Sequence, residues 1–441
     1  MNIILYILDD LRPDFLGCYG FLKDTSPNID AFTEDAVLYE KAYSTSNGTK
    51  AAATSIFTSQ YPRLLSMLYE SNTLPEYDYT LPKVLKSNEF GCYGISANLF
   101  FSPNFGFTSF DEFFNLQTDK ELIERRKSVG AKSLDMMPSE YINEKLFPLF
   151  KKEGNKFFFL WAVDPHGPFY VREGDESYFG NSNDDFIKIG EVNSNNAEKV
   201  KSLYCDMIRH NDSNFGKVIS FLKEKGIYDD SMIIVAGDHG EAFGEHEWIL
   251  NKRMFGHSDF VFEEVIRIPL IIKYPKNEFS GQRVNLPVQL IDIFPTILGA
   301  IGVGKENLEG VDICPSRISI DDNRLIFTEG HVLPISSHSI GIKVGDYKLI
   351  KTETPLYIGL KAKRMIRNIL EKLQIPSIQL YNLKEDPLER ENLASKEKDK
   401  VKILLRKYNQ LFNEKEIISR NKEKVEEEVK KRLKNLGYFN E

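Results

Sequence analysis

The sequence predicts an α/β protein built on a mostly parallel sheet sandwiched by helices, and three observations carry that prediction. Strand-like and helix-like segments alternate through the N-terminal two-thirds of the chain, the pattern of parallel strands joined by helical crossovers. Lys156–Val163 (KFFFLWAV) is a continuous apolar run, as expected of a strand covered on both faces. Acids and histidines stand just past apolar strands: Asp9 and Asp10 after LYIL, Asp164 and His166 after FLWAV, Asp238 and His239 after IIVAG. In open α/β sheets ligands bind beyond the carboxyl ends of the strands, so these three ends form a candidate site from pattern alone.

Element by element, Ile3–Leu8 reads as a strand ending at the first acid pair. Pro27–Glu40 has helical spacing, with Ser26 or Asn28 as cap. Ala51–Thr58 is a helix-forming run just after Gly48 and Thr49. Leu81–Ser87 is a short helix, and Cys92–Ala97 a strand. Val200–Lys225 is a long helix, followed by a strand at Ser231–Ala236, a further strand at Val265–Ile272 and a helix at Leu290–Ile301. From about Arg324 the texture changes to short strands (Leu325–Glu329, Ser339–Val344, Tyr347–Lys351, Gln379–Leu383) with a basic helical piece at Lys361–Leu373. This divides the chain into a catalytic domain over 1–323, a smaller α+β sheet domain over 324–394 and a charged helical tail over 395–441. In the tail, Val425, Val429, Leu433 and Leu436 share one helical face and Gly437 is the stop. That stripe packs on the body or forms a homo-oligomer or partner contact.

Composition narrows the function. The 441 residues are 41% hydrophobic and 28% charged, which excludes a disordered or fibrous chain. A net charge of -8 argues against nucleic acid or an anionic membrane as the main partner. MNIILYILDD lacks a basic leading region and meets acids after eight residues, and no run approaches a membrane span, so a cytoplasmic protein is expected. Cys18, Cys92, Cys205 and Cys314 form no CxxC pair, indicating neither a disulfide framework nor a thiolate zinc site.

Several motifs then occur in order. DDLRPDFLGCYG (Asp9–Gly20), TSPNIDAF (Thr25–Phe32) and TSQYP (Thr58–Pro62) come first. TLPKVLKSNEFGCYGISAN (Thr80–Asn98), GFTSFDEFF (Gly106–Phe114), DPHGPF (Asp164–Phe169) and GDHGEAFGEH (Gly237–His246) follow. GHSDFVFEEVIRIPLII (Gly256–Ile272), DIFPTILGAIG (Asp292–Gly302), GDYKLI (Gly345–Ile350) and LYNLKEDPLERENLA (Leu380–Ala394) complete the series. Together they cover about 390 residues and resemble the sulfatases of the alkaline phosphatase superfamily. The resemblance implies a large α/β domain with a smaller C-terminal sheet domain.

A divalent cation wants convergent carboxylates and imidazole on rigid elements with one position open, and Asp9, Asp10, Asp238 and His239 supply them. In the usual sulfatase, Asn stands at the position of His239. Histidine here resembles the related phosphodiesterases, phosphonate hydrolases and phosphoethanolamine transferases. One imidazole among oxygens shifts preference toward Zn2+ or Mn2+, with Mg2+ or Ca2+ as further candidates. Sulfatases carry Cys or Ser, followed by Pro and Arg, where an activating enzyme makes formylglycine. The corresponding residue here is Thr49, with Ala51 and Ala53 in place of the Pro and Arg, so formylglycine is not expected.

A Thr hydroxyl becomes a nucleophile when a metal or base acidifies it. At a helix N-terminus it would have backbone N–H groups beside it for anionic oxygens. The resemblance also implies that His166 and His257 contact substrate oxygens or protonate the leaving group. Lys50 is expected to neutralise a non-bridging oxygen, and Arg12 to position an acid or bind substrate. Glu241 and Glu245 read as supports behind the metal ligands, and His210, His331 and His338 as surface or structural.

The leading expectation is a metal-dependent hydrolase or transferase of a phosphoric or phosphonic ester, working through Thr49 on a small-molecule or glycan-linked substrate. A sulfuric-ester hydrolase without formylglycine and a non-catalytic binding protein that keeps the fold are the alternatives. Leu64–Tyr79, Leu116–Pro138 and Arg172–Asn196 match no motif and are expected to shape specificity.

Overall fold

The structure is a computed structural model that describes residues 1–67, 73–246, 254–257, 261–304, 307–332, 337–353 and 376–412. In chain order the first half contains β1 (Asn2–Leu8), α1 (Pro27–Phe32), β2 (Val37–Tyr43), α2 (Thr49–Thr58), α3 (Leu81–Ser87), β3 (Phe90–Ser96) and β4 (Glu112–Asn115). Next come α4 (Lys120–Ser128), α5 (Glu140–Leu149), β5 (Asn155–Ala162), α6 (Ala197–Glu224) and β6 (Ser231–Gly237). A small hairpin of β7 (Ala242–Phe243) and β8 (Phe255–Gly256) precedes α7 (Glu263–Ile266), β9 (Arg267–Ile268), β10 (Leu270–Lys273), β11 (Arg283–Gln289) and α8 (Ile293–Ala300).

The main sheet runs β11-β2-β10-β6-β1-β5-β3-β4, with β9 paired to β2. Only β9 and β10 make antiparallel pairs, so the expected mostly parallel sheet is present. β1, β5 and β6 are its buried centre, which is why all three read as continuous apolar runs. Their register matters most: Leu8 lies opposite both Ala162 and Gly237. Since the three strands are parallel, the residues after these positions emerge side by side at one edge.

Two elements differ from the expected ones. The helix expected over Pro27–Glu40 stops at Phe32; one 3-10 turn follows, and Val37–Tyr43 is a strand between β10 and β11. VLYEKAY is rich in β-branched and aromatic residues, and pairing with strands more than 200 residues downstream overrides its helical spacing. The single strand expected over Val265–Ile272 is split into a helical turn, β9 and β10, with Pro269 at the break, where a ladder donor is missing.

The second sheet is an antiparallel meander of β12 (Ile326–Val332), β13 (Ser337–Val344), β14 (Tyr347–Glu353) and β15 (Ile378–Asn382). The Lys398–Phe412 helix covers it, burying Leu404 among Phe327, Ile340, Ile342, Leu349 and Leu380. Tyr61, Leu64 and Ile291 of the main body join the same cluster, so the two sheets share a core. Arg63 fastens the seam, pairing with Glu329 at 2.7 Å and donating to the Tyr408 hydroxyl at 2.6 Å. The helical piece expected at Lys361–Leu373 and the stripe from Val425 to Leu436 lie outside the described residues.

Candidate active site

The site forms where β6, β1 and β5 end. Asp9 and Asp10 follow β1, Asp238 and His239 follow β6, and His166 comes from the turn after β5. Thr49 is the first residue of α2, delivered to the same point by the chain leaving β2. All six of these side chains are buried.

Each carboxylate has one edge anchored and one edge turned inward. Asp9 Oδ2 accepts from the Asn98 side chain at 2.7 Å and the Trp161 indole at 2.9 Å. Its Oδ1 faces the Thr49 hydroxyl at 3.3 Å. Asp238 Oδ1 accepts from the backbone N–H groups of Asp10 (3.0 Å) and His239 (2.7 Å), while its buried Oδ2 accepts no hydrogen bond among the described residues. His239 Nε2 lies 3.2 Å from Thr49 Oγ1, 3.3 Å from Asp238 Oδ2 and 4.0 Å from Asp9 Oδ1. Asp9 Oδ1, His239 Nε2 and Thr49 Oγ1 thus lie within 3.2–4.0 Å of one another, with Asp238 Oδ2 beside the same imidazole nitrogen. Atoms bonded tetrahedrally to one ion at about 2.0–2.2 Å lie roughly 3.3–3.6 Å apart, and the donor set of Asp9, Asp10 and His239, with atoms within 4.8 Å of one another, is of the kind that holds a cation. Holding buried carboxylates this close without one is costly, and burial together with Asp9 raises the Asp238 pKa well above the usual carboxylate range.

Asp10 sits behind these atoms. Its Oδ1 is 2.9 Å from His239 Nδ1 and 3.3 Å from His257 Nδ1, and its Oδ2 is 3.6 Å from His166 Nε2. Its backbone is left-handed (φ 61°), a conformation a non-glycine residue holds only when its surroundings impose it. Burial raises its pKa, against the pull of His257 and His166. His257 bonds Glu241 through Nδ1 at 2.8 Å. Burial works against an imidazolium there, but Asp10 and Glu241 outweigh it and raise the His257 pKa. Two triads, Asp9–Asp10–His239 and Asp10–His166–His257, each bring three ligand-type atoms within 4.8 Å.

The remaining expected residues lie at the margin. Lys50 is buried, with Nζ 4.6 Å and 5.0 Å from the ring centroids of Phe105 and Phe100. Arg12 is clamped: Nε and Nη2 donate to Asp14, and Nη1 to Glu245 and to the Glu241 carbonyl. It therefore braces the loop that carries Glu241 rather than facing the strand-end donors. Asp164 holds the His166 turn, accepting from Ser139 N–H and Asn211 while Arg172 donates to its carbonyl. Asn98 and Trp161, which anchor Asp9, went unread; Asn98 closes one of the sequence motifs, but nothing in the sequence marks Trp161.

A parallel α/β sheet whose central strand ends gather carboxylates, imidazoles and a hydroxyl around one point defines a metal-dependent ester hydrolase. Residues 1–303 match the sulfatase family, and the chain belongs to it, within the alkaline phosphatase superfamily. Enzymes of this family use a divalent metal ion. The chain is similar to N-acetylgalactosamine-6-sulfatase of Rattus norvegicus, 22% identical over 79% of this chain and 70% of that protein. It is also similar to an arylsulfatase of Clostridium perfringens, 22% identical over 91% and 92% of the two chains. Among solved structures, the phosphonate monoester hydrolase of Agrobacterium radiobacter shares the fold with a TM-score of 0.72 at 19% identity, over 93% and 95% of the two chains. Among the described residues, no helix is long and apolar enough to cross a membrane.

Proposed function

We propose that this protein cleaves or transfers a phosphoric or phosphonic ester through Thr49. The observation that carries the reading is the Thr49 hydroxyl at the head of α2, between Asp9 Oδ1 and His239 Nε2. A divalent cation, which Asp9, Asp10, Asp238 and His239 would hold, would supply positive charge to acidify the Thr49 hydroxyl and offset the ester's anionic oxygens. Zn2+ or Mn2+ suits one imidazole among carboxylates; Mg2+ and Ca2+ are the oxygen-loving alternatives.

Thr49, its hydroxyl deprotonated to solvent, attacks phosphorus through Oγ1, and the bond from phosphorus to the leaving oxygen breaks, that oxygen taking a proton from His166 or His257. The first-turn N–H groups of α2, which have no partner within the helix, hold non-bridging oxygens. His166 and His257 stand on the far side of Asp10, where they hold substrate oxygens and meet the departing alkoxide. Water or an acceptor alcohol then releases the phosphoryl group from Thr49. The substrate is a small-molecule or glycan-linked ester, and a contact between copies of the chain through its C-terminal helical region remains part of the proposal.

Sulfuric-ester cleavage is the second reading, favoured by sulfatases among the relatives. Against it stands the residue at the nucleophile position: Thr49 is not convertible to formylglycine, and the four cysteines lie elsewhere. The test is a panel of aryl phosphate mono- and diesters, an aryl phosphonate ester and an aryl sulfate, with intact-mass detection of a phosphoryl group on the quenched protein. Turnover of phosphorus esters, lowered at least 1,000-fold by Thr49→Ala (~4 kcal/mol of transition-state stabilisation), is expected. Activity confined to the sulfate, or full activity in Thr49→Ala, overturns the reading.

A further inference from the structure

We infer that the cavity between α6 and the Arg172–Tyr178 segment is a second ligand site, built for a small sugar that carries one oxyanion group. The inference goes beyond the reading of Thr49, because this cavity shares no residue with the strand-end centre.

The cavity has a volume of about 630 Å³, the size of a small-molecule site. Arg172–Tyr178, α6 and Glu140 at the start of α5 enclose it. Its lining is mostly charged and polar, with Tyr178 as an aromatic surface that is 66% exposed. A hydroxyl-rich ligand suits such a wall, since its polar groups can be met there.

Five acids and four basic groups line the cavity, so the sign of the ligand turns on which are already paired. Glu140 and Asp175 hold His210 from its two sides, at 2.9 Å and 2.6 Å. Glu173 pairs with Arg126 at 3.2 Å and accepts from the Lys132 N–H at 2.7 Å. Asp206 accepts from the Ser177 hydroxyl, the Tyr178 N–H and the Asn181 side chain, at 2.6–2.9 Å. Glu176 is exposed.

The cations are less completely met. Arg172 is 2% exposed, and its Nη2 donates to the Asp164 carbonyl at 2.8 Å. Its Nε and Nη1 find no hydrogen-bond acceptor among the described residues, the Asp164 carboxylate standing 3.9 Å from Nε. The guanidinium lies over the Tyr170 ring, 4.5 Å from the centroid, which leaves its in-plane N–H groups for an anion. Arg209 pairs with Asp24 at 3.3 Å, yet its Nε also finds no acceptor among the described residues. Lys217 donates to the neutral Asn214 amide at 2.9 Å. Buried donors left empty are costly, and an oxyanion among these three cations would relieve that cost. The ligand's hydroxyls would donate to carboxylate lone pairs that one imidazole cannot fill on Glu140 and Asp175.

Glucuronate is the probe, because it sets a carboxylate on a sugar ring and has no ester for the strand-end centre to cleave. Titration calorimetry on the full chain in chelator, where the strand-end acids have no cation to draw an anion, should show one glucuronate bound per chain. Glucose and inorganic phosphate should each bind about tenfold more weakly, or worse. Lys217→Glu, at an exposed position, should weaken glucuronate by about tenfold, and Arg172→Gln by more. Equal affinity for glucose overturns the oxyanion, and equal affinity for phosphate overturns the sugar. Glucuronate binding that is absent in wild type, or unchanged in Lys217→Glu, overturns the site. The Lys217 comparison lies at the surface, so the result stands if Arg172→Gln is unstable.

Discussion

Two buried clusters of acids and histidine can be compared directly: the strand-end centre and the junction between the main body and the second sheet. At the junction, Lys348 Nζ pairs with Glu263 at 3.0 Å and Glu389 at 2.9 Å, and His246 meets Glu264 at 3.1 Å. His246, Glu264 and Glu389 are grouped as tightly as the strand-end triads, so convergence alone does not distinguish the two places. The difference is what neutralises the charge. Lys348, an ammonium from β14, is buried among the junction carboxylates. At the strand ends, Asp10 is met only by imidazoles among the described ion pairs, and Arg12 is already committed to Asp14 and Glu245. An ammonium compensates its carboxylates throughout the neutral range, whereas imidazoles such as His257 do so only while protonated, and there a divalent cation can take their place.

The largest effect should come from breaking the junction. Lys348→Met leaves Glu263 and Glu389 buried without their ammonium, and removing one partner of such a pair costs about 3–5 kcal/mol. Equilibrium denaturation should show that loss, with part of it recovered when Glu389→Gln is added. A loss below about 1 kcal/mol would mean Lys348 is not what compensates the junction, and the comparison would collapse.

A third cluster extends the compensated class and supports the site from behind. His210 Nδ1 lies 2.6 Å from Asp175 and its Nε2 2.9 Å from Glu140, beside the Asp164 that holds the His166 turn. Burial opposes the charged ring, but Asp175 and Glu140 prevail and push the His210 pKa up to about 10. A pKa raised above the unfolded value of 6.5 gives stability that is complete below pH 6.5 and lost as pH rises through about 10. Both acids are about 40% exposed, so solvent reduces the effect to roughly 2 kcal/mol. Wild type should lose that much more stability than His210→Gln between pH 6.5 and 10. Parallel pH profiles would show that the ring is not charged in the fold.

How much of this was legible follows from which interactions are local. β1, β5 and β6 were readable because strands buried on both faces are apolar throughout, and the acids after them announce the edge where a site can form. Val37–Tyr43 was not, because its partners lie far downstream and nothing local separates its spacing from a helix. Thr49, Asp9 and His239 were each singled out, but their meeting at 3.2–4.0 Å depends on three separate segments. Arg12 was expected to position an acid or bind substrate; of the acids it pairs with, Asp14 is local and Glu245 lies 233 residues on, where no sequence pattern reaches. His210 matched no motif, and its two carboxylate partners come from a loop and from α5, out of reach of any sequence pattern.

The smallest effect is also the most discriminating, because its sign changes with conditions. Asp238→Asn keeps the Oδ1 that accepts from the Asp10 and His239 N–H groups and replaces the unpartnered Oδ2 with an amide. That amide is neutral and can donate toward His239 Nε2, 3.3 Å from the oxygen it replaces. In metal-free protein the variant should therefore be more stable than wild type by about 1 kcal/mol, the reverse of a typical buried substitution. With the cation present the order should invert. Wild type gains about 2.7 kcal/mol at a free ion concentration 100 times its dissociation constant, a gain the variant loses in proportion to its weakened binding. Paired melts with chelator and with Mn2+ measure both signs. If Asp238→Asn is destabilising in chelator by as much as it is in metal, Asp238 is compensated within the protein, and the strand-end centre belongs with the junction after all.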